Sequence, residues 1–127
     1  MKSYESREDY LEAIHVLKQR QDFVRSVDVA NYLGFSKPSV SVAVANLKAA
    51  ELLFVDGRGG LCLTDAGRLM AEQVYERHRF LTELLVRIGV DEKTAAVDAC
   101  RMEHVISETS FEKLKGFFYK GEGHEGL

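Results

Sequence analysis

Residues 23–53 read FVRSVDVANYLGFSKPSVSVAVANLKAAELL, and their punctuation is that of two short helices joined by a tight turn. Ser26 is placed to cap a helix over 27–33, since a serine hydroxyl accepts from an orphaned first-turn amide, and Gly34 ends it with a residue tolerant of positive φ. Ser36 then caps a second helix whose first turn holds Pro38, where a missing N–H matters least. Val40, Val44 and Leu47 share its buried face and leave Lys37, Ser39, Ser41 and Val42 outward. This is a helix-turn-helix. Hydroxyls and a lysine crowd the start of its second helix, where amides attract phosphate and short side chains permit close approach to DNA. A plain structural corner is the bland alternative.

The next stretch, LLFVDGRGGLCLT over 52–64, alternates on both sides of a glycine-rich centre, which predicts a β-hairpin directly after the second helix. A hairpin there is a wing. Arg58 at its tip can reach a phosphate or the minor groove, or merely solubilise the turn. The DNA-facing candidates are Arg25, Ser36, Lys37, Pro38, Ser39, Ser41, Val42 and Arg58. Cys62 reads as a small packed side chain.

Upstream, residues 6–20 set Tyr10, Leu11, Ile14, Val16 and Leu17 in a helical rhythm, with acids ahead and bases behind. Asp9 and Glu12 lie at i, i+3 near the apolar face; alone they read as a solvated acidic first turn. Glu5, Glu8, His15 and, in the tail, His124 are read as surface groups. Downstream, Thr64 caps a long helix from Asp65 to about Ile88, with Leu69, Val74, Leu81, Leu84, Leu85 and Ile88 as its expected buried stripe. His78 sits in mid-helix between basic residues. Asp91 caps the following helix, which carries DACRMEHVIS over 98–107 and so puts Cys100, Glu103 and His104 on one side. A thiol, a carboxylate and an imidazole converging on one point suit a metal, though an ordinary amphipathic helix accounts for them too. Thr109 with Glu112 predicts a capping box for a last helix ending near Tyr119.

Composition bounds the rest. The chain has 127 residues, 46% hydrophobic and 29% charged, with one proline, as in a folded globular protein. No apolar run approaches the ~18 residues of a membrane span. Its N-terminus is charged, unlike a targeting signal, so a cytoplasmic location is expected. Two cysteines make no disulfide framework. The net charge is −3: residues 1–70 balance nine basic against nine acidic residues, and residues 71–127 carry eight against eleven. Such a chain does not coat nucleic acid indiscriminately, yet its neutral first half can hold a local basic face. The expected fold is mainly α with a small β-hairpin: a winged helix-turn-helix over 1–70, then a helical domain over 71–127.

A winged helix-turn-helix, a long helix with Arg77-His78 in its middle, and Gly89-Val90-Asp91 followed by DACRMEHVIS resembles the metal-dependent repressors of the DtxR/MntR family over residues 4 to about 118. The resemblance implies that the second domain binds metal and dimerises. It carries the metal-ligand role onto Asp9 and Glu12 of the first helix, His78 of the long helix, and Cys100, Glu103 and His104. Asp9-Tyr10-Leu11-Glu12 is similar to the manganese-responsive branch, whereas Cys100 is similar to the iron-responsive branch. The implied function is a divalent-metal-dependent transcriptional regulator, a homodimeric repressor of metal-uptake genes on palindromic double-stranded DNA, with no role at a membrane. Mixed O, N and S donors place Fe(II) ahead of Mn(II), and Co(II), Ni(II) or Zn(II) can substitute in vitro.

Two rivals stay open on the residues. One is a winged-helix regulator answering to another signal, its acidic and histidine cluster structural. The other is a metalloenzyme, opposed by the lack of a phosphate-binding glycine loop, a nucleophile elbow or an HExxH pattern, so an enzyme is not expected.

Overall fold

A computed structural model describes the backbone of residues 3–126 and the side chains of residues 7–120. The elements are α1 (Ser3–Arg20), α2 (Ser26–Leu33), α3 (Lys37–Ala49), β1 (Leu53–Val55), β2 (Leu61–Leu63), α4 (Asp65–Arg87), α5 (Glu92–Val105) and α6 (Glu108–Gly126). They form two compact units, Met1–Gln73 and Val74–Leu127. The side chains of Glu5 and His124 lie outside the described residues.

The first unit is a winged helix-turn-helix. Leu11 and Ile14 of α1, Val29 of α2, Val40 and Leu47 of α3, and Leu61 of β2 are all buried in one cluster. Burying a large aliphatic side chain is worth ~1.5–3 kcal/mol, so this cluster is what holds the three helices together. Gly34 closes α2 at φ 74°, a left-handed conformation that glycine adopts without strain. The hairpin is antiparallel with Leu53 opposite Leu63, Phe54 opposite Cys62 and Val55 opposite Leu61. Its second strand is also pinned to the segment before α2, because Leu61 N donates to Val24 O at 2.7 Å.

At the hairpin base, Thr64 does two jobs. Its hydroxyl accepts from Gly67 N at 3.1 Å, capping α4, and donates to Glu51 O at 2.8 Å. The start of α4 therefore sits against the hairpin, and Gly67 is the residue that permits it: a Cβ there would stand 1.9 Å from Leu52 O.

In the second unit, Phe80 and Leu81 of α4, Ala99 of α5 and Phe111 of α6 are buried together. The Phe80 ring meets Phe111 edge-on at 5.5 Å and Phe118 at 5.4 Å. Such pairs add a directional preference to plain burial.

Several local expectations are corrected. The residue before α2 is Arg25, not Ser26; Arg25 N donates to the Asp28 carboxylate at 2.8 Å, so an acid three residues on closes the turn that a hydroxyl was expected to close. Ser107, not Thr109, caps α6, accepting from Ser110 N at 3.0 Å, and the helix runs past Tyr119 to Gly126. Leu69 is 57% and Ile88 70% exposed. Gly67, Ala71 and Val74 take the inner face of α4, which turns Leu69 outward, and Ile88 stands beyond the helix end at Arg87. Glu8 and His15 are half-buried rather than surface groups.

The crowding at Gly67 makes a prediction. Gly67→Ala forces Cβ into a backbone carbonyl and is expected to destabilise by ~1–3 kcal/mol. Gly57→Ala, with nothing within 4 Å, should change stability by no more than about 0.5 kcal/mol. Denaturant midpoints of the two variants check this.

Candidate metal centre and nucleic-acid interface

The last two turns of α5 bring Cys100, Glu103 and His104 together because residues three and four apart share a helical face. One ligand atom from each lies within 4.8 Å of the others. Their exposures differ sharply. Glu103 is 1% and His104 3% exposed, while Cys100 is open to solvent.

Burial of the Glu103 carboxylate is the unusual feature. Its Oε1 lies 2.9 Å from His78 Nδ1, and its Oε2 is 3.6 Å from His104 Nε2. Among the described residues, Oε2 has no hydrogen-bond partner. A buried acceptor without a partner is destabilising by several kcal/mol for a charge, and proteins keep one where something else satisfies it. An oxygen, a nitrogen and a sulfur donor around that atom fit a divalent transition metal.

The structure thus brings Cys100, Glu103 and His104 into one cluster and attaches His78 to it through Glu103. Asp9 and Glu12 lie in the first unit, one turn apart on α1, each half-buried. Sequence reasoning missed Arg77, whose guanidinium donates to the carbonyls of Glu103 at 3.1 Å and Ile106 at 2.9 Å. Its only advance signal was its place beside His78.

In the first unit, Ser36 precedes α3 with its hydroxyl accepting from Ser39 N at 3.3 Å and donating to Ser39 Oγ at 2.9 Å. Both serines, Lys37, Pro38, Ser41 and Val42 are exposed, Val42 at 62%. An exposed valine on a helix lined with small side chains can offer apolar contact to a thymine methyl. Arg25 is exposed at the start of α2.

The wing tip is built by Asp56, whose Oδ1 accepts from Arg58 N and Gly60 N, both at 2.8 Å. Those two amides, Gly60 first, hold the Asp56 carboxyl below its ordinary range. The Arg58 guanidinium lies 4.8 Å from the centre of the Phe23 ring, so this arginine is stacked at the wing rather than projecting from it unsupported.

Comparison with known proteins identifies the family. Residues 3–61 match the model for the iron dependent repressor N-terminal DNA binding domain. Residues 64–120 match that for the iron dependent repressor metal binding and dimerisation domain. The chain belongs to the DtxR/MntR family of metal-dependent transcriptional regulators.

Members of this family are regulators, not enzymes. A transcriptional regulator of the HTH type from Methanocaldococcus jannaschii is 30% identical over 118 residues, covering 91% of this chain and 94% of the relative. The regulator MntR of Bacillus subtilis is 33% identical over 109 residues, covering 86% of this chain and 77% of MntR. Among solved structures, the manganese regulator SloR superposes with a TM-score of 0.79 at 28% identity, over 89% of this chain and 53% of SloR. The chain therefore spans about half the length of that relative. Among the described residues, no helix is long and apolar enough to cross a membrane.

Two outcomes follow from this geometry. Glu103→Met replaces a buried, half-satisfied carboxylate by an apolar side chain of similar size, so the metal-free variant should unfold at or above the temperature of the parent. A fall of several degrees after chelation would show the carboxylate to be a net stabilising group. At the wing, the folded Asp56 titrates below the unfolded residue, so its contribution is complete at neutral pH and is lost as pH falls through the folded value. Protection of the Arg58 and Gly60 amides, corrected for intrinsic exchange, should drop in Asp56→Ala at pH 7 and in the parent on acidification.

Proposed function

We propose that this regulator binds a divalent transition metal through Asp9, Glu12, His78, Cys100, Glu103 and His104, with Fe(II) ahead of Mn(II), and that metal loading favours a homodimer bound to a palindromic operator. The observation that carries the reading is the buried Glu103 carboxylate, with its unpartnered Oε2 beside His104 and Cys100. The comparisons support metal dependence and a dimerisation domain. The choice of iron rests on Cys100, since a thiolate suits Fe(II), Co(II), Ni(II) or Zn(II) better than Mn(II).

When bound, the ion supplies positive charge that neutralises the carboxylates and joins donors that are distant in sequence. The chain's residues do the rest. Asp9 and Glu12 lie on α1, which packs on α2 and α3, so ordering α1 steadies the helix that presents Ser39, Ser41 and Val42. Ser36, Lys37 and Pro38 at the start of α3 and Arg25 before α2 engage phosphates, and Arg58 contacts the flanking backbone from the wing. A two-fold dimer must hold two such helices about one DNA turn, roughly 34 Å, apart. Coupling of ~1–3 kcal/mol between metal and DNA sites alters operator affinity by about 5- to 150-fold. Repression of metal-uptake genes in the cytoplasm is the physiological setting that suits such a device.

The test uses DNA selected from a random pool by the parent protein with Fe(II) or Mn(II). Glu103→Gln and His104→Ala should lose the metal-dependent rise in affinity measured by fluorescence anisotropy while keeping weak, salt-sensitive DNA binding. Metal-dependent binding equal to the parent in both variants would sink the metal reading in favour of a regulator answering to another signal.

A further inference from the structure

Arg77 is tied down through both terminal nitrogens of its guanidinium. Its side chain is 18% exposed, and from α4 its guanidinium meets both α5 and α6. One nitrogen donates to the carbonyls of Glu103 and Ile106 at the end of α5, at 3.1 and 2.9 Å. The other pairs with Glu108 Oε1 at the start of α6, at 2.8 Å. The same group lies 5.1 Å from the centre of the Phe111 ring. Hydrogen bonding to Arg77 is the first cause of a Glu108 carboxyl held below its ordinary range.

We infer that Arg77 is a positioning residue for the metal centre: with its neighbour His78 it fixes Glu103 by both main chain and side chain. The inference rests on the reading that Glu103 is a metal ligand. From consecutive positions on α4, Arg77 takes the Glu103 carbonyl and His78 takes Glu103 Oε1, leaving Oε2 as the one acceptor still open. The last carbonyls of a helix lack amide partners within it, and a cation there is favoured by the helix dipole. A planar fork of donors can serve two carbonyls and a carboxylate together, which an ammonium on a flexible stem cannot do in one fixed geometry. Outer groups of this kind commonly govern metal affinity by about 10- to 100-fold.

Lys115 supplies the control. It bridges α6 to α4 through Glu76 at 2.8 Å and sits 5.4 Å from the same Phe111 ring. These partners lie on α4 and α6 rather than α5, so Lys115→Met removes a comparable tether at a site separate from the Arg77 bonds to Glu103. The experiment titrates the full chain with Co(II) and follows affinity and the visible d–d spectrum, alongside the melting temperature of each metal-free variant. Arg77→Lys is expected to weaken Co(II) binding about 10- to 100-fold and to shift the d–d bands, whereas Lys115→Met keeps parental affinity and spectrum. Parental affinity and spectrum in Arg77→Lys, or an equal loss in Lys115→Met, overturns the inference. Should Arg77→Lys fail to fold, Glu108→Gln carries the test, with a smaller loss and the same spectral shift expected and an unchanged titration overturning it. Glu103→Gln separates the two readings. If the parent binds Co(II), Glu103→Gln does not and Arg77→Lys binds like the parent, only the positioning role fails; if the parent binds none, both readings fail.

Discussion

A carboxylate taken out of water must be repaid by partners, and the second unit is arranged around one that is only partly repaid. Glu103 is 1% exposed, yet among the described residues only one of its two oxygens finds a hydrogen-bond partner. Neighbouring features follow from that constraint. His78 has to be on α4 at a position facing α5, His104 has to be buried beside it, and Arg77 has to hold the main chain of the same turn. The aromatic cluster of Phe80, Phe111 and Phe118 supplies apolar burial in the same unit.

The reading unit is built differently. Its α2 and α3 are short, and isolated helices of such length are marginal in water. Tertiary burial therefore decides their stability, and each boundary is fixed by a local device: Asp28 at the start of α2, Gly34 at its end, Ser36 before α3, and Thr64 at the junction of hairpin and α4. Polar residues at these boundaries serve folding, which frees the exposed face of α3 to carry small side chains and Val42.

Much of this was legible in the order of residues. The helix-turn-helix and wing announce themselves through Gly34, Ser36, Pro38 and the glycines around Arg58, because turns demand particular residue types. The cluster of Cys100, Glu103 and His104 follows from helical spacing alone. What the sequence hid depends on competition between near-equivalent groups. Ser26 and Asp28 could each close the start of α2, as Ser107 and Thr109 could each cap α6, and small differences in geometry chose. Leu69 and Ile88 look as hydrophobic as Leu81, and only the close approach of Gly67 and Ala71 to the core shows which side of α4 turns inward. Arg77 was hard to single out because its partners at the end of α5 are backbone carbonyls, which every residue possesses.

The Asp56 turn bears on the thermodynamics of recognition. With two amides already on one carboxylate oxygen and Arg58 resting on Phe23, the loop surrenders its conformational freedom while the chain folds. A macromolecule meeting this loop finds its turn already closed by hydrogen bonds. The entropy penalty of ordering it falls outside the association step, so contacts made there, however few, register almost undiminished in affinity.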